Sequence, residues 1–97
     1  MSAREQTDTK LSITYPGRYN VILVNDDITP MEFVIDLLVT IFNKNIEQST
    51  KLTLAVHNDG KAVAGTYSSE VAEQKQFEAM TATRNAGWPL EVLVEGM

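Results

Sequence analysis

Between Arg18 and Phe42 the spacing of apolar residues changes from two to three or four, and this switch fixes the opening unit of the fold. The run RYNVILV, Arg18 to Val24, is β-branched and aromatic, with Tyr19, Val21 and Leu23 alternating against Asn20 and Ile22, the pattern of a strand buried on one or both faces. It stops at Asn25-Asp26-Asp27, residues that favour turns over sheet ladders. Thr29-Pro30-Met31-Glu32 then reads as a capping box with proline at the first helical position. Apolar residues at Met31, Val34, Ile35, Leu38, Ile41 and Phe42 predict one buried helical stripe behind it.

The rest of the chain is punctuated as clearly. Asn43 to Asn45 ends the first helix, and Asn45 caps a second that closes at Gly60, where glycine can take the left-handed conformation. Its inward face is Ser49, Leu52, Thr53 and Val56. Lys61 to Tyr67 predicts a second strand, and Ser68 a cap for a third helix from Ser69 to about Asn85. After Gly87-Trp88-Pro89, Leu90 to Val94 predicts the last strand. The order is β-α-α-β-α-β, an α+β fold whose three strands most simply form one antiparallel sheet with three helices on one face. Residues 1–17 carry no periodic apolar pattern and end in a Tyr-Pro-Gly turn signal, so they are expected to form a flexible tail ahead of a core at 18–97.

Composition narrows the function classes. Ninety-seven residues make one domain, and 43% hydrophobic with 22% charged residues is ordinary for a globular chain. The absence of cysteine excludes disulfides, thiolate metal sites and cysteine nucleophiles, and one histidine leaves little for a metal cage. A net charge of −5 argues against a general nucleic-acid binder. No apolar run approaches the roughly 18 residues of a membrane span, and the start lacks a signal-peptide core, so a cytoplasmic protein is expected.

Two features could carry chemistry: Asn25-Asp26-Asp27 at a strand–helix junction, and His57 near the end of the second helix. Each has an ordinary structural reading, turn chemistry for the first and a dipole-compatible end residue for the second. Together they suggest more. Carboxylate, amide carbonyl and neutral imidazole are all acceptors, and an ammonium offers three donors. A site of Asn25, Asp26 or Asp27 and His57 would suit a primary amine if the fold brings the segments together, with Met31, Val34, Val56 and Leu90 as apolar walls beside it.

The runs YNVILVNDD and TPMEFV between Tyr19 and Val34, LAVH at Leu54 to His57, GKA at Gly60 to Ala62, EVAE with Lys75 from Glu70, and Pro89-Leu90 resemble the ClpS adaptor family, in register over most of the chain. The resemblance implies a small non-enzymatic adaptor that recognises the first residue of N-degron substrate proteins. It delivers them to a ClpA-type AAA+ unfoldase and its peptidase ClpP. It implies the same three-stranded, three-helix fold, no cofactor, no metal, a bacterial cytoplasmic location and action as a monomer. On matching positions, Asn25, Asp26, Asp27 and His57 belong to the α-amino site. Leu23, Val24, Thr29, Met31, Val34, Thr53, Val56 and Leu90 form or edge a pocket for Leu, Phe, Tyr or Trp, with Met31 as a gate against β-branched residues. Glu70 and Lys75 belong to the surface that docks on the unfoldase, and the tail assists delivery. A departure is Thr53, where the family usually has methionine, which predicts a roomier or wetter floor that favours aromatic residues over leucine. A smaller one is Ala64, where many relatives carry cysteine.

Other readings are weaker. A triad of Asp26 or Asp27, His57 and Ser49, Ser68 or Ser69 lacks a G-x-S-x-G elbow. Three carboxylate and imidazole groups at a turn are a weak metal signal. A bare protein–protein interaction module without an amine site, with a fold like the C-terminal domain of the ribosomal stalk protein, would explain the sheet but not the pairing of Asn-Asp-Asp with histidine.

Overall fold

A computed structural model describes residues 17–97; the expected tail, but for Gly17, lies outside the described residues. The element order is β1 (Arg18–Val24), α1 (Met31–Thr40), α2 (Ile46–Asp59), β2 (Lys61–Ser68), α3 (Ser69–Asn85) and β3 (Glu91–Gly96). The sheet is antiparallel in the order β2-β1-β3, so the most apolar strand is central. This is the expected α+β architecture.

One sheet face makes the core. Val21 and Leu23 of β1, Ala64 of β2 and Val92 of β3 pack with Val34, Leu37 and Leu38 of α1, Val56 of α2, and Ala72 and Ala79 of α3. The small residues of α3 let that helix lie close on the sheet. On the opposite face, Ile22 pairs with Val63 and Leu93, both partly exposed. The pairing slips between Val21 and Ile22: Val21 faces Gly65 and Ile22 faces Val63, which leaves Ala64 as the unpaired, buried residue of a bulge.

Helix α2 keeps the limits its sequence sets. The Asn45 side chain accepts from the Gln48 N–H at 2.7 Å, and Gly60 closes the helix at φ 91°, its N–H donating to the Val56 carbonyl. Two expected caps are corrected. Helix α1 starts at Met31 with Pro30 as the flanking residue and no side-chain cap bond. The Thr29 hydroxyl, expected to accept from Glu32, instead donates to Asp26. At α3, Ser68 holds the N-cap position without a side-chain cap bond, and it also pairs with Arg18 as the last residue of β2. The last strand is shifted as well. It runs from Glu91 to Gly96 because β1 supplies partners from Val24 to Tyr19, and Leu90 falls just before it. Helix α1 ends at Thr40, two residues before its expected stripe does, yet Phe42 beyond it is still buried.

Candidate functional site

The β1–α1 loop is shaped by one carboxylate. Asp26 Oδ1 accepts from the backbone N–H groups of Ile28 at 2.8 Å and Thr29 at 2.7 Å, and Oδ2 accepts from the Thr29 hydroxyl at 2.8 Å. Burial pushes the Asp26 carboxyl up, but these hydrogen bonds, with a contribution from the Arg84 charge, outweigh it and hold the group below its ordinary value. Such a carboxylate builds the loop. Its neighbours Asn25 and Asp27 take no part in these bonds.

The loop is tied to α2 through the backbone: the Asn25 N–H donates to the Gly60 carbonyl at 2.9 Å. This contact joins two segments 35 residues apart, and it brings Asn25 and Asp27 to one pocket with His57 in the last turn of α2. The pocket has a volume of ≈ 350 Å³, at the small end of ligand-binding cavities. Asn25, Asp26, Asp27 and His57 line it together with Ile28, Thr29, Pro30, Met31, Val34, Thr53, Val56 and Leu90. Polar acceptors from the loop and α2 therefore share one cavity with the apolar side chains of Met31, Val34, Val56 and Leu90. Met31, at the start of α1, is 39% exposed, whereas Val34, Val56 and Leu90 are buried.

Of the residues expected to form or edge the pocket, Leu23 and Val24 do not line it. Strand alternation explains both. Leu23 points into the core between Ala62 and Val92, while Val24 pairs with Lys61 and Glu91 on the other face. Ile28 and Pro30 line the pocket although their sequence context carried no sign of it.

Arg84 is a further contributor that sequence reasoning missed. Its guanidinium, in the last turn of α3, donates to the Trp88 carbonyl at 2.8 Å and the Leu90 carbonyl at 2.9 Å, and pairs with Glu91 at 3.3 Å. These bonds hold the segment that presents Leu90 to the pocket. A basic residue near a helix end was the only local signal, and it is too common to mark the role.

The two expected docking residues lie on α3. Glu70 is exposed in its first turn. Lys75 is half-buried, and its ammonium donates to the Ile41 carbonyl, at the C-terminal end of α1, at 2.7 Å. Among the described residues no group of three or more His, Asp or Glu side chains could hold a metal ion, and no helix is long and apolar enough to cross a membrane.

Comparison with known proteins agrees with this architecture. Residues 14–93 match the family described as ATP-dependent Clp protease adaptor protein ClpS. The ATP-dependent Clp protease adapter protein ClpS of Neisseria gonorrhoeae is 42% identical over 98% of this chain and 94% of its own. The protein of the same name from Treponema denticola is 45% identical over 82% of this chain and 79% of its own. The solved structure of Agrobacterium tumefaciens ClpS2 bound to L-phenylalaninamide superposes with a TM-score of 0.83 at 34% identity, covering 86% of this chain and all of that one. With family match, near full-length relatives and fold in agreement, this chain belongs to the ClpS family of Clp protease adaptors.

Proposed function

We propose that the pocket binds the first residue of a polypeptide, holding its α-ammonium at Asn25, Asp27 and His57 and its side chain among Met31, Val34, Thr53, Val56 and Leu90. The observation that carries this reading is the convergence of those acceptors and apolar walls on one cavity. It is supported by the ligand of the Agrobacterium relative, since phenylalaninamide offers a free α-amine and one apolar ring. Asp26 acts by shaping the loop. The substrates are N-degron proteins that begin with Leu, Phe, Tyr or Trp. The adaptor delivers them to a ClpA-type unfoldase working with ClpP, docking through the α3 surface that includes Glu70, and residues 1–17 assist delivery.

The energetics suit a reversible adaptor. Burying a leucine or phenylalanine side chain contributes about 1.5–3 kcal/mol. Each hydrogen bond to a charged ammonium adds about 1.5–3 kcal/mol. After the cost of association, a few such contributions give an affinity near micromolar, about −8 kcal/mol. A branched β-carbon against Met31 costs about 1–3 kcal/mol as overpacking, enough to reject isoleucine and valine.

Fluorescence anisotropy with a Phe-initiated peptide tests the reading. N-acetylation should abolish binding, and Asn25→Ala and His57→Ala should each weaken it by roughly tenfold or more. Equal binding of free and acetylated peptides would refute the amine site.

A further inference from the structure

The mouth of the cavity has two chemistries. Of the residues that line it, Asp27, Ile28, Met31 and His57 are exposed, and the others are buried or half-buried. Asp27 and His57 are polar, whereas Ile28 and Met31 are apolar. Ile28 is 65% exposed and Met31 39%, so both leave apolar surface open to solvent at the rim.

Ile28 stands on a fixed loop. Its backbone N–H and that of Thr29 both donate to Asp26 Oδ1, at 2.8 Å and 2.7 Å. A β-branched side chain is also stiff at χ1. The side chain takes no part in the packed core. It is held in place by its loop and yet left uncovered, so covering it costs little further ordering.

Stereochemistry decides where the rest of a ligand goes. The Cα of a first residue carries the ammonium, the side chain and the carbonyl that continues the chain. With the ammonium at Asn25, Asp27 and His57 and the side chain on the buried floor, the carbonyl leaves through the mouth, on the side the ammonium does not take. That side is Ile28 and Met31.

We propose that Ile28, together with Met31, contacts the second residue of the bound polypeptide and selects an apolar side chain there. The inference rests on the reading of the pocket as a site for a first residue. An apolar second side chain removes its own surface and that of Ile28 from water at once. A polar one of the same shape gives up water to a surface that offers it no hydrogen bond. The contact lies at the rim and stays partly wet, so it adjusts preference among peptides that the first residue already admits.

The test titrates wild type with Phe-initiated peptides that differ only in the second residue, leucine or asparagine, which are uncharged and alike in size and branching. The leucine peptide should bind about three- to tenfold more tightly, as expected when about half of an aliphatic side chain leaves water. Ile28→Ser should move the ratio of the two affinities toward one, and Ile28→Leu should keep it. Since Ile28 lies outside the core, neither substitution opens a cavity there. A ratio of one in wild type, or a leucine preference that Ile28→Ser leaves unchanged, overturns the proposal. A ratio lost in Ile28→Leu as well would assign the preference to the loop rather than to its apolar side chain, and would also overturn it. Each of these results leaves the amine site standing as long as N-acetylation abolishes binding. Equal binding of free and N-acetylated peptides would instead remove the amine reading, and this inference with it.

Discussion

Asp26 and Asp27 are adjacent carboxylates with different work, and their sequence context does not separate them. Asp26 accepts two backbone N–H groups and one hydroxyl, which fold the loop back on itself, while Asp27 is exposed at the rim of the cavity. The Asp26→Asn variant retains one acceptor oxygen but loses the charge. It should be less stable at neutral pH by roughly 1 kcal/mol, since the loop is only partly buried. The pH dependence has a definite sign. The Asp26 carboxyl is held below its ordinary value of 3.8, so near that pH the native state binds fewer protons than the unfolded chain. Its stabilisation is complete above that value and is lost as pH falls through the lower native one. Thermal unfolding of both proteins from pH 7 to pH 2 should show the gap in Tm narrowing at the acid end. A constant gap would mean that the charge of Asp26 plays no part. Asn25, Asp27 and His57, the proposed acceptors, are legible as residue types, and they line one cavity. Which carboxylate serves the loop depends on where two backbone N–H groups point, and no spacing encodes that.

At the scale of elements, local signals prevailed wherever nothing distant competed with them. Asn45 and Gly60 bound α2 as written because both caps are satisfied inside their own turn. Thr29 and Ser68 carry equally good cap chemistry and do not use it: the hydroxyl of Thr29 goes to Asp26, and Ser68 is held in a strand pair. Likewise β3 begins at Glu91, where its pairing with Val24 starts, rather than at the first apolar residue. The bond from Lys75 to Ile41 is the same kind of event, a contact across 34 residues that no window of sequence contains. It places a cation at the carbonyl end of α1, where the helix dipole favours it. Lys75→Met keeps most of the aliphatic stem and removes the charge. It should cost about 1–2 kcal/mol, which for a domain of this size lowers Tm by roughly 4–16 °C. Differential scanning calorimetry would measure it, and an unchanged Tm would show that the bond contributes nothing net. Any effect of this variant on an unfoldase therefore has to be read against its stability.

For the whole molecule, the length of β1 separates the cavity from Glu70, the residue proposed to dock on an unfoldase. The cavity sits where β1 ends at Val24, opposite Lys61 and Glu91. Glu70 follows Ser68, which pairs with Arg18 at the other end of the same strand. Seven residues of β1 set the ends roughly 20 Å apart at about 3.3 Å per residue. Charges that far apart across solvent exceed a Debye length at physiological salt, about 8 Å, so they scarcely influence each other. Binding a first residue and docking on an unfoldase should then be separable by mutation. Glu70→Lys reverses an exposed charge and disturbs no packed side chain. Affinity for a Phe-initiated peptide should stay within about twofold of wild type, while binding to the N-terminal domain of a ClpA-type unfoldase should weaken about tenfold, as expected when an attractive charge contact becomes a repulsive one. The reciprocal variant, His57→Ala, should lose the peptide and keep the unfoldase. Measuring both affinities on both variants gives four numbers, and the arrangement requires them to be complementary. If Glu70→Lys instead weakened the peptide as much as the unfoldase, the two surfaces would be coupled through the sheet, and delivery would depend on a conformational link rather than on two independent contacts.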